Sequence, residues 1–132
     1  MAKHVVLYVE DNKANMVLIS KVLDMLDDVE MHGAETGEAG FRLAQEIRPN
    51  LVLLDINLPD MSGLDVLKKI RAEPSIQGVP VIALTASASR GEVSEGLEAG
   101  CDSYLTKPFD VRQFLDVINQ YLGVAPAGES AN

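Results

Sequence analysis

The stretch Leu51–Leu67, LVLLDINLPDMSGLDVL, decides how this chain folds. Four apolar residues run straight into a carboxylate, Asp55; a loop carrying Pro59 and Gly63 follows, and Leu64, Leu67 and Ile70 then recur at helical spacing. A continuous apolar run of strand length marks a strand buried on both faces, the habit of parallel sheets covered by helices. A charge at the edge of such a core needs a partner, a metal ion or open water, because an unpaired buried carboxylate is costly.

Outward from this stretch the same alternation repeats. HVVLYV predicts a buried strand over Val5–Val9 that stops at Glu10 and Asp11. From Asn12 to Leu26, the residues Met16, Ile19, Leu23 and Leu26 form one helical stripe, and VEMHGA follows as a weaker second strand. A second helix runs through Phe41, Leu43, Ala44 and Ile47 despite Gly37 and Gly40 near its start, and Pro49 separates it from LVLLD. The third helix ends near Pro74, and VPVIALT is a strand with Pro80 at its entrance, where a missing N–H is tolerated. A fourth helix over Ser89–Ala99 is the weakest, since Gly91 and Gly96 each cost about 1 kcal/mol relative to alanine in a helix interior. DSYLT is a short fifth strand, Lys107-Pro108 a turn, and FDVRQFLDVINQYL a closing helix with Val111, Phe114, Leu115, Ile118 and Leu122 inward.

Five strands alternating with five helices specify an α/β, doubly wound parallel sheet with helices on both faces and right-handed crossovers. In such folds the site lies at the carboxyl ends of the strands. With 132 residues, 47% hydrophobic and 23% charged, the chain is long enough for one domain with a real core. Residues 1–123 form that domain, and 124–132 read as a flexible tail or linker remnant. A formal net charge of −9 repels nucleic acid and anionic membrane. The only cysteine, Cys101, excludes an internal disulfide, and the N-terminus fits neither a signal peptide nor a span, so a cytoplasmic location is expected.

The strand ends collect chemistry: Glu10 and Asp11 after the first, Asp55 after the third, Thr85 and Ser87 after the fourth, Lys107 after the fifth. Converging carboxylates repel one another, and a hard divalent cation relieves that repulsion. Mg2+ suits an all-oxygen set, with Asp11 and Asp55 in direct contact, Glu10 holding a coordinated water and the Asn57 carbonyl as a further ligand; Mn2+ can substitute. Neither His4 nor His32 has the cysteine partners of a zinc site, and His32 reads as a partly exposed strand residue. Lys107 and Thr85 can each neutralise one phosphoryl oxygen while the metal takes a third, which leaves Asp55 as the nucleophile that becomes an aspartyl phosphate. Taken singly, each residue has an ordinary role: Asp55 a turn or cap, the acidic pair before Asn12 a capped helix start, Thr85 a strand residue, Lys107 a solvated one.

At VEDN, LLDINLPDMSGLDVL, PVIALTA and YLTKPF the chain resembles the receiver domain of bacterial two-component response regulators, over about Lys3 to Gly123. The wording is most similar to receivers of hybrid sensor kinases and to stand-alone regulators of the cell-cycle type. The resemblance implies the flavodoxin-like strand order 2-1-3-4-5. It implies that Asp55 takes phosphoryl from a sensor histidine kinase or histidine phosphotransfer protein and loses it slowly by autodephosphorylation. Glu10 and Asp11 correspond to the acidic metal pair, Thr85 and Tyr104 to the switch pair, and Lys107-Pro108 to a cis peptide. Ala86 corresponds to the small residue that gives the donor access, and Asn57 and Ser87 to positions that tune hydrolysis. Output is implied through the face of the fourth helix, fifth strand and fifth helix, toward a downstream protein, from a monomer or a weak phosphorylation-dependent dimer. Glu10 departs from the aspartate common at the first acidic position.

Three other functions compete. An aspartyl-phosphate phosphatase would carry a second aspartate two positions after the nucleophile, where this chain has Asn57. A flavodoxin-type module would need a phosphate loop where EDNKAN is acidic. A pseudo-receiver scaffold would not need Asp11, Asp55, Thr85 and Lys107 together. The nine residues after Gly123 are too few for a DNA-binding or catalytic output domain, so in a complete protein output is expected through protein contacts, and in an excised piece of a hybrid kinase Asp55 would be a relay station.

Overall fold

A computed structural model describes residues 4–85, 90–107 and 110–123. Along the chain run β1 (His4–Val9), α1 (Lys13–Leu23), β2 (Val29–Ala34), α2 (Gly37–Ile47), β3 (Leu51–Asp55), α3 (Gly63–Ala72), β4 (Val81–Thr85), α4 (Arg90–Ala99), β5 (Ser103–Thr106) and α5 (Val111–Leu122). The strands pair in parallel in the order β2-β1-β3-β4-β5. The chain therefore starts inside the sheet, steps to one edge and returns past β1 to lay down β3. Where that direction reverses, the carboxyl ends of β1 and β3 face a crevice that no crossover covers.

The two-residue period of the strands sorts their side chains into two cores. Val6, Tyr8, Leu51, Leu53, Ile82 and Leu84 pack with Ile19 and Leu23 of α1 and with Phe114 and Ile118 of α5. Leu7, Val9, Val52, Leu54, Val81 and Ala83 pack with Ala44 of α2 and with Val66, Leu67 and Ile70 of α3. Both faces of β3 and β4 are buried, as the unbroken apolar runs require. Side-chain caps start the helices: Asn12 accepts from the Asn15 N–H, Thr36 from Ala39, Ser62 from Leu64, and Asp110 from Arg112 and Gln113. Gly123, with φ of 70°, ends α5 in the left-handed conformation that glycine adopts freely.

Two details differ from the periodicity. Helix α1 stops at Leu23, where the chain tightens into i→i+3 hydrogen bonds from Met25 and Leu26, yet Leu26 still reaches the core. Val111 is 41% exposed rather than inward; it lies in the first turn directly after the Asp110 cap, and the buried stripe of α5 starts at Phe114. Gly96 has a packing reason that helix propensity does not supply. A Cβ there would stand 2.9 Å from Cε2 of Tyr104 and 3.2 Å from Cys101 Sγ, so the missing side chain lets the Tyr104 ring lie against α4.

At the pole away from the crevice, the Arg71 guanidinium donates to the carbonyls of Gly100, Gln77 and Val79 and to Asp102 Oδ2, which also accepts from the Val81 N–H. This clasp joins the end of α3 to the entrances of β4 and β5. Among the described residues no helix is long and apolar enough to cross a membrane.

Gly63 is the tightest point near the crevice. A Cβ on it would lie 2.3 Å from the Asp55 carbonyl oxygen and 2.8 Å from Ile56 Cα, both backbone atoms that cannot swing away. Gly63→Ala should therefore lower unfolding stability in urea by about 1–3 kcal/mol. Gly78→Ala, whose Cβ meets nothing within 4 Å, should stay within about 0.5 kcal/mol of the parent.

Candidate functional site

Parallel pairing brings the ends of β1, β3, β4 and β5 to one rim. β1 runs directly into Glu10 and Asp11, Asp55 is the last residue of β3, Thr85 the last of β4, and Lys107 follows β5. Main-chain bonds fix these ends: Glu10 N–H to the Ala34 carbonyl at 2.9 Å, Ile56 N–H to Leu84 at 3.0 Å, and Lys107 N–H to Thr85 at 2.7 Å. Glu10, Asp55 and Thr85 are almost wholly buried, whereas Asp11 stands in solvent.

Carboxylate oxygens of Glu10, Asp11 and Asp55 lie within 4.8 Å of one another. Lys107 Nζ bridges two of them, at 2.6 Å from Glu10 Oε1 and 3.1 Å from Asp55 Oδ2. The other Asp55 oxygen, Oδ1, accepts the Asn57 N–H at 2.9 Å. Behind Asp55 the loop is pinned by the Gly63 N–H on the Ile56 carbonyl and by a bridge between Asn57 and Ser62. Asp60, from the same loop, accepts the Gly37 and Glu38 N–H groups at the start of α2, and these donors hold its carboxyl below the usual range. The loop is thus tied both to its own helix and to the neighbouring one.

The charges are unbalanced. Burial first, then the adjacent Glu10 carboxyl, push Asp55 up to about 6, against the opposing pull of the Asn57 N–H and Lys107. Burial also works against a charged Glu10, but hydrogen bonds involving Asp55, Lys107 and Tyr8 outweigh it and hold Glu10 at about 2. The two carboxyls titrate as a coupled pair, with Asp55 held above and Glu10 below the ordinary carboxylate range. Burial disfavours the Lys107 ammonium, yet its two carboxylate partners raise its pKa. The donor set is oxygen throughout and in excess of its cation, which fits Mg2+, Mn2+ or Ca2+ and not a soft metal. His4 begins β1, at the strand end remote from the cluster, and His32 lies 2.5 Å from Glu30 on β2.

Glu10, Asp11, Asp55, Thr85 and Lys107 are thus brought to one rim. Asn57 is exposed beside them, contributing its N–H to Asp55. Tyr104 is half-buried in β5, opposite Ala83 of β4 and against Gly96. Ala86, Ser87 and Pro108, and with it the cis peptide, lie outside the described residues, as do the start of the fourth helix at Ser89 and the tail 124–132. Periodicity alone did not single out Tyr8, Asn15 or Asp60. Tyr8 donates to Glu10 Oε1 at 2.9 Å and Asn15 Nδ2 to the same oxygen at 3.1 Å. Its place two residues before Glu10, hence on the same strand face, was the available signal.

Comparison with known proteins agrees with this geometry. The model of the response regulator receiver domain family matches residues 6–119. The polar-differentiation response regulator DivK of Brucella anthropi is 40% identical over 125 residues, which cover 91% of this chain and 97% of that protein. The receiver domain of sensor histidine kinase PA1611 from Pseudomonas aeruginosa, solved with a magnesium ion coordinated in its active site cleft, superposes with a TM-score of 0.83 at 32% identity, covering 92% of this chain and 99% of that one. The Mn2+-bound form of response regulator Rcp1 superposes with a TM-score of 0.77 at 33% identity, covering 89% and 90%.

The crowding has a measurable cost in the metal-free protein. The folded-state pKa of Asp55, about 6, lies above its ordinary 3.8. Its contribution to stability is therefore complete below about pH 4 and lost as pH rises through about 6. Asp55→Asn should stabilise the metal-free protein by about 1–3 kcal/mol near neutral pH. Thermal melts should show the advantage shrinking toward pH 4 and reversing when millimolar Mg2+ stabilises the parent alone.

Proposed function

This chain belongs to the response regulator receiver domain family, and on that premise we propose that Asp55 accepts a phosphoryl group from a phosphohistidine, with Mg2+ held by Glu10, Asp11, Asp55 and the Asn57 carbonyl. The observation that carries the reading is the Lys107 ammonium bridging Glu10 and Asp55 in a cluster otherwise made of carboxylates. Mg2+ bound there would neutralise charge on the carboxylates and on a transferring phosphoryl group.

The remaining chemistry falls to the chain's own side chains. An ionised Asp55 oxygen attacks phosphorus, the new O–P bond forms as the P–N bond of the phosphohistidine breaks, and the electron pair stays on the departing imidazole. The Asn57 N–H fixes Asp55 Oδ1 and so sets the carboxylate plane. Lys107, already 3.1 Å from Asp55 Oδ2, needs only a small displacement to meet one phosphoryl oxygen, and the Thr85 hydroxyl meets another. Ala86 leaves the donor a way in, and Asn57 and Ser87 tune the water that later hydrolyses the acyl phosphate.

The same reading makes phosphorylation a switch. Thr85 moves toward the phosphoryl group, Tyr104 enters the vacated space, and the face of α4, β5 and α5 changes shape for a downstream protein. The donor would be a sensor histidine kinase or histidine phosphotransfer protein, in the cytoplasm, with the chain monomeric or weakly dimeric when phosphorylated. Mn2+ would substitute for Mg2+. A phosphatase acting on outside esters is disfavoured by Asn57, which cannot exchange a proton as a second aspartate would.

With acetyl phosphate and Mg2+, intact mass should rise by one phosphoryl group. The gain should vanish in Asp55→Ala and fall roughly tenfold or more under chelation. Labelling that persists in Asp55→Ala would refute the assignment. Amide shifts on phosphorylation should spread beyond the rim to α4, β5 and α5.

A further inference from the structure

Glu10 is the member of the cluster whose surroundings are most elaborate. It is 1% exposed, and its two oxygens are treated differently. Among the described residues Oε1 receives Lys107 Nζ at 2.6 Å, the Tyr8 hydroxyl at 2.9 Å and Asn15 Nδ2 at 3.1 Å, whereas Oε2 receives the Asn12 N–H at 3.3 Å. Three donors saturate Oε1, which leaves Oε2 as the oxygen better able to meet a cation or its water.

The donors also differ in how they are held. Lys107 is a flexible stem whose ammonium already divides itself between Glu10 and Asp55. In the proposed reaction it must turn to a phosphoryl oxygen, which would strip a buried carboxylate of its charge partner. Tyr8 cannot follow it: the ring is wholly buried in the layer that contains Ile19 of α1 and Phe114 of α5. Asn15 is carried on the first turns of α1, whose start is fixed by the Asn12 cap. A glutamate is one methylene longer than an aspartate and has one more torsion to misplace, so it gains more from such restraint.

We propose that Tyr8, assisted by Asn15, is a positioning residue that anchors Glu10 through Oε1. Its fixed hydroxyl keeps Oε2 turned to the divalent cation and frees Lys107 to leave Glu10 during phosphoryl transfer. Nothing but an oxygen atom separates Tyr8 from phenylalanine, so the role can be tested with the core packing intact. The inference rests on the metal site proposed above, and the test separates the two.

The measurement is Mn2+ binding to the full chain, read from water-proton relaxation without any phosphodonor. Tyr8→Phe should weaken Mn2+ roughly tenfold, within the range for loss of a group that orients a metal ligand. Asn15→Ala, on a half-buried helix position, should give a smaller loss and serves if Tyr8→Phe folds poorly. In a Glu10→Ala background, where there is no carboxylate to anchor, Tyr8→Phe should change nothing, an outcome that a merely structural role would not produce. Unaltered affinity in both Tyr8→Phe and Asn15→Ala, or an undiminished loss in the Glu10→Ala background, overturns this inference alone. A parent that binds no Mn2+, or Asp55→Ala binding as tightly as the parent, overturns the metal site and this inference together.

Discussion

Everything at the rim of this protein follows from putting three carboxylates within 4.8 Å of one another beside the Lys107 ammonium. Two of those carboxylates are buried, so water cannot relieve them, and the Lys107 charge is shared rather than owned by either. The result is a pair of acids pulled to opposite pKa values, Glu10 near 2 and Asp55 near 6, by one common set of contacts. A site in this condition favours whatever brings positive charge to it. The family relationship to receivers solved with Mg2+ and with Mn2+ accords with that electrostatic reasoning.

The fold sustains such a cluster because the strain is confined to strand ends. Main-chain hydrogen bonds hold Glu10, Ile56 and Lys107 to neighbouring strands, so the backbone that carries these groups cannot separate without breaking the sheet. The loop behind Asp55 is equally constrained: Gly63 passes so close to the Asp55 carbonyl that no side chain fits, and Asp60 reaches across to cap α2. Rigidity of this kind is what lets a small change of charge be felt as a change of position elsewhere.

On the side of β4 away from β3, the sheet meets α4 at Tyr104. Thr85 ends β4, Tyr104 lies opposite Ala83 two residues earlier, and its ring rests on the bare backbone of Gly96 in α4. The β5 aromatic thus meets α4 at Gly96, where a side chain would collide with the ring. The Arg71 clasp holds the opposite ends of α3, β4 and β5 together.

The sequence by itself determined the alternation of strands and helices, the parallel sheet, and the meeting of Glu10, Asp11, Asp55, Thr85 and Lys107 at the carboxyl rim. Those features are written in local periodicity and in which residue ends each apolar run, and parallel pairing converts them directly into place. Its errors lay at helix ends: α1 closes three residues before Leu26, and Val111 faces outward, because capping and the edge of the sheet override the helical repeat there. Only the tertiary structure decided that Lys107 bridges Glu10 and Asp55, that Tyr8 and Asn15 converge on a single oxygen of Glu10, that Asp60 caps a helix it does not belong to, and that Gly96 seats Tyr104. Most of these join residues distant in the chain; even Tyr8 and Glu10, neighbours on one strand face, meet through rotamers that packing selects. A polar atom's partner is set by distance and direction in three dimensions, and no local pattern of residues encodes either.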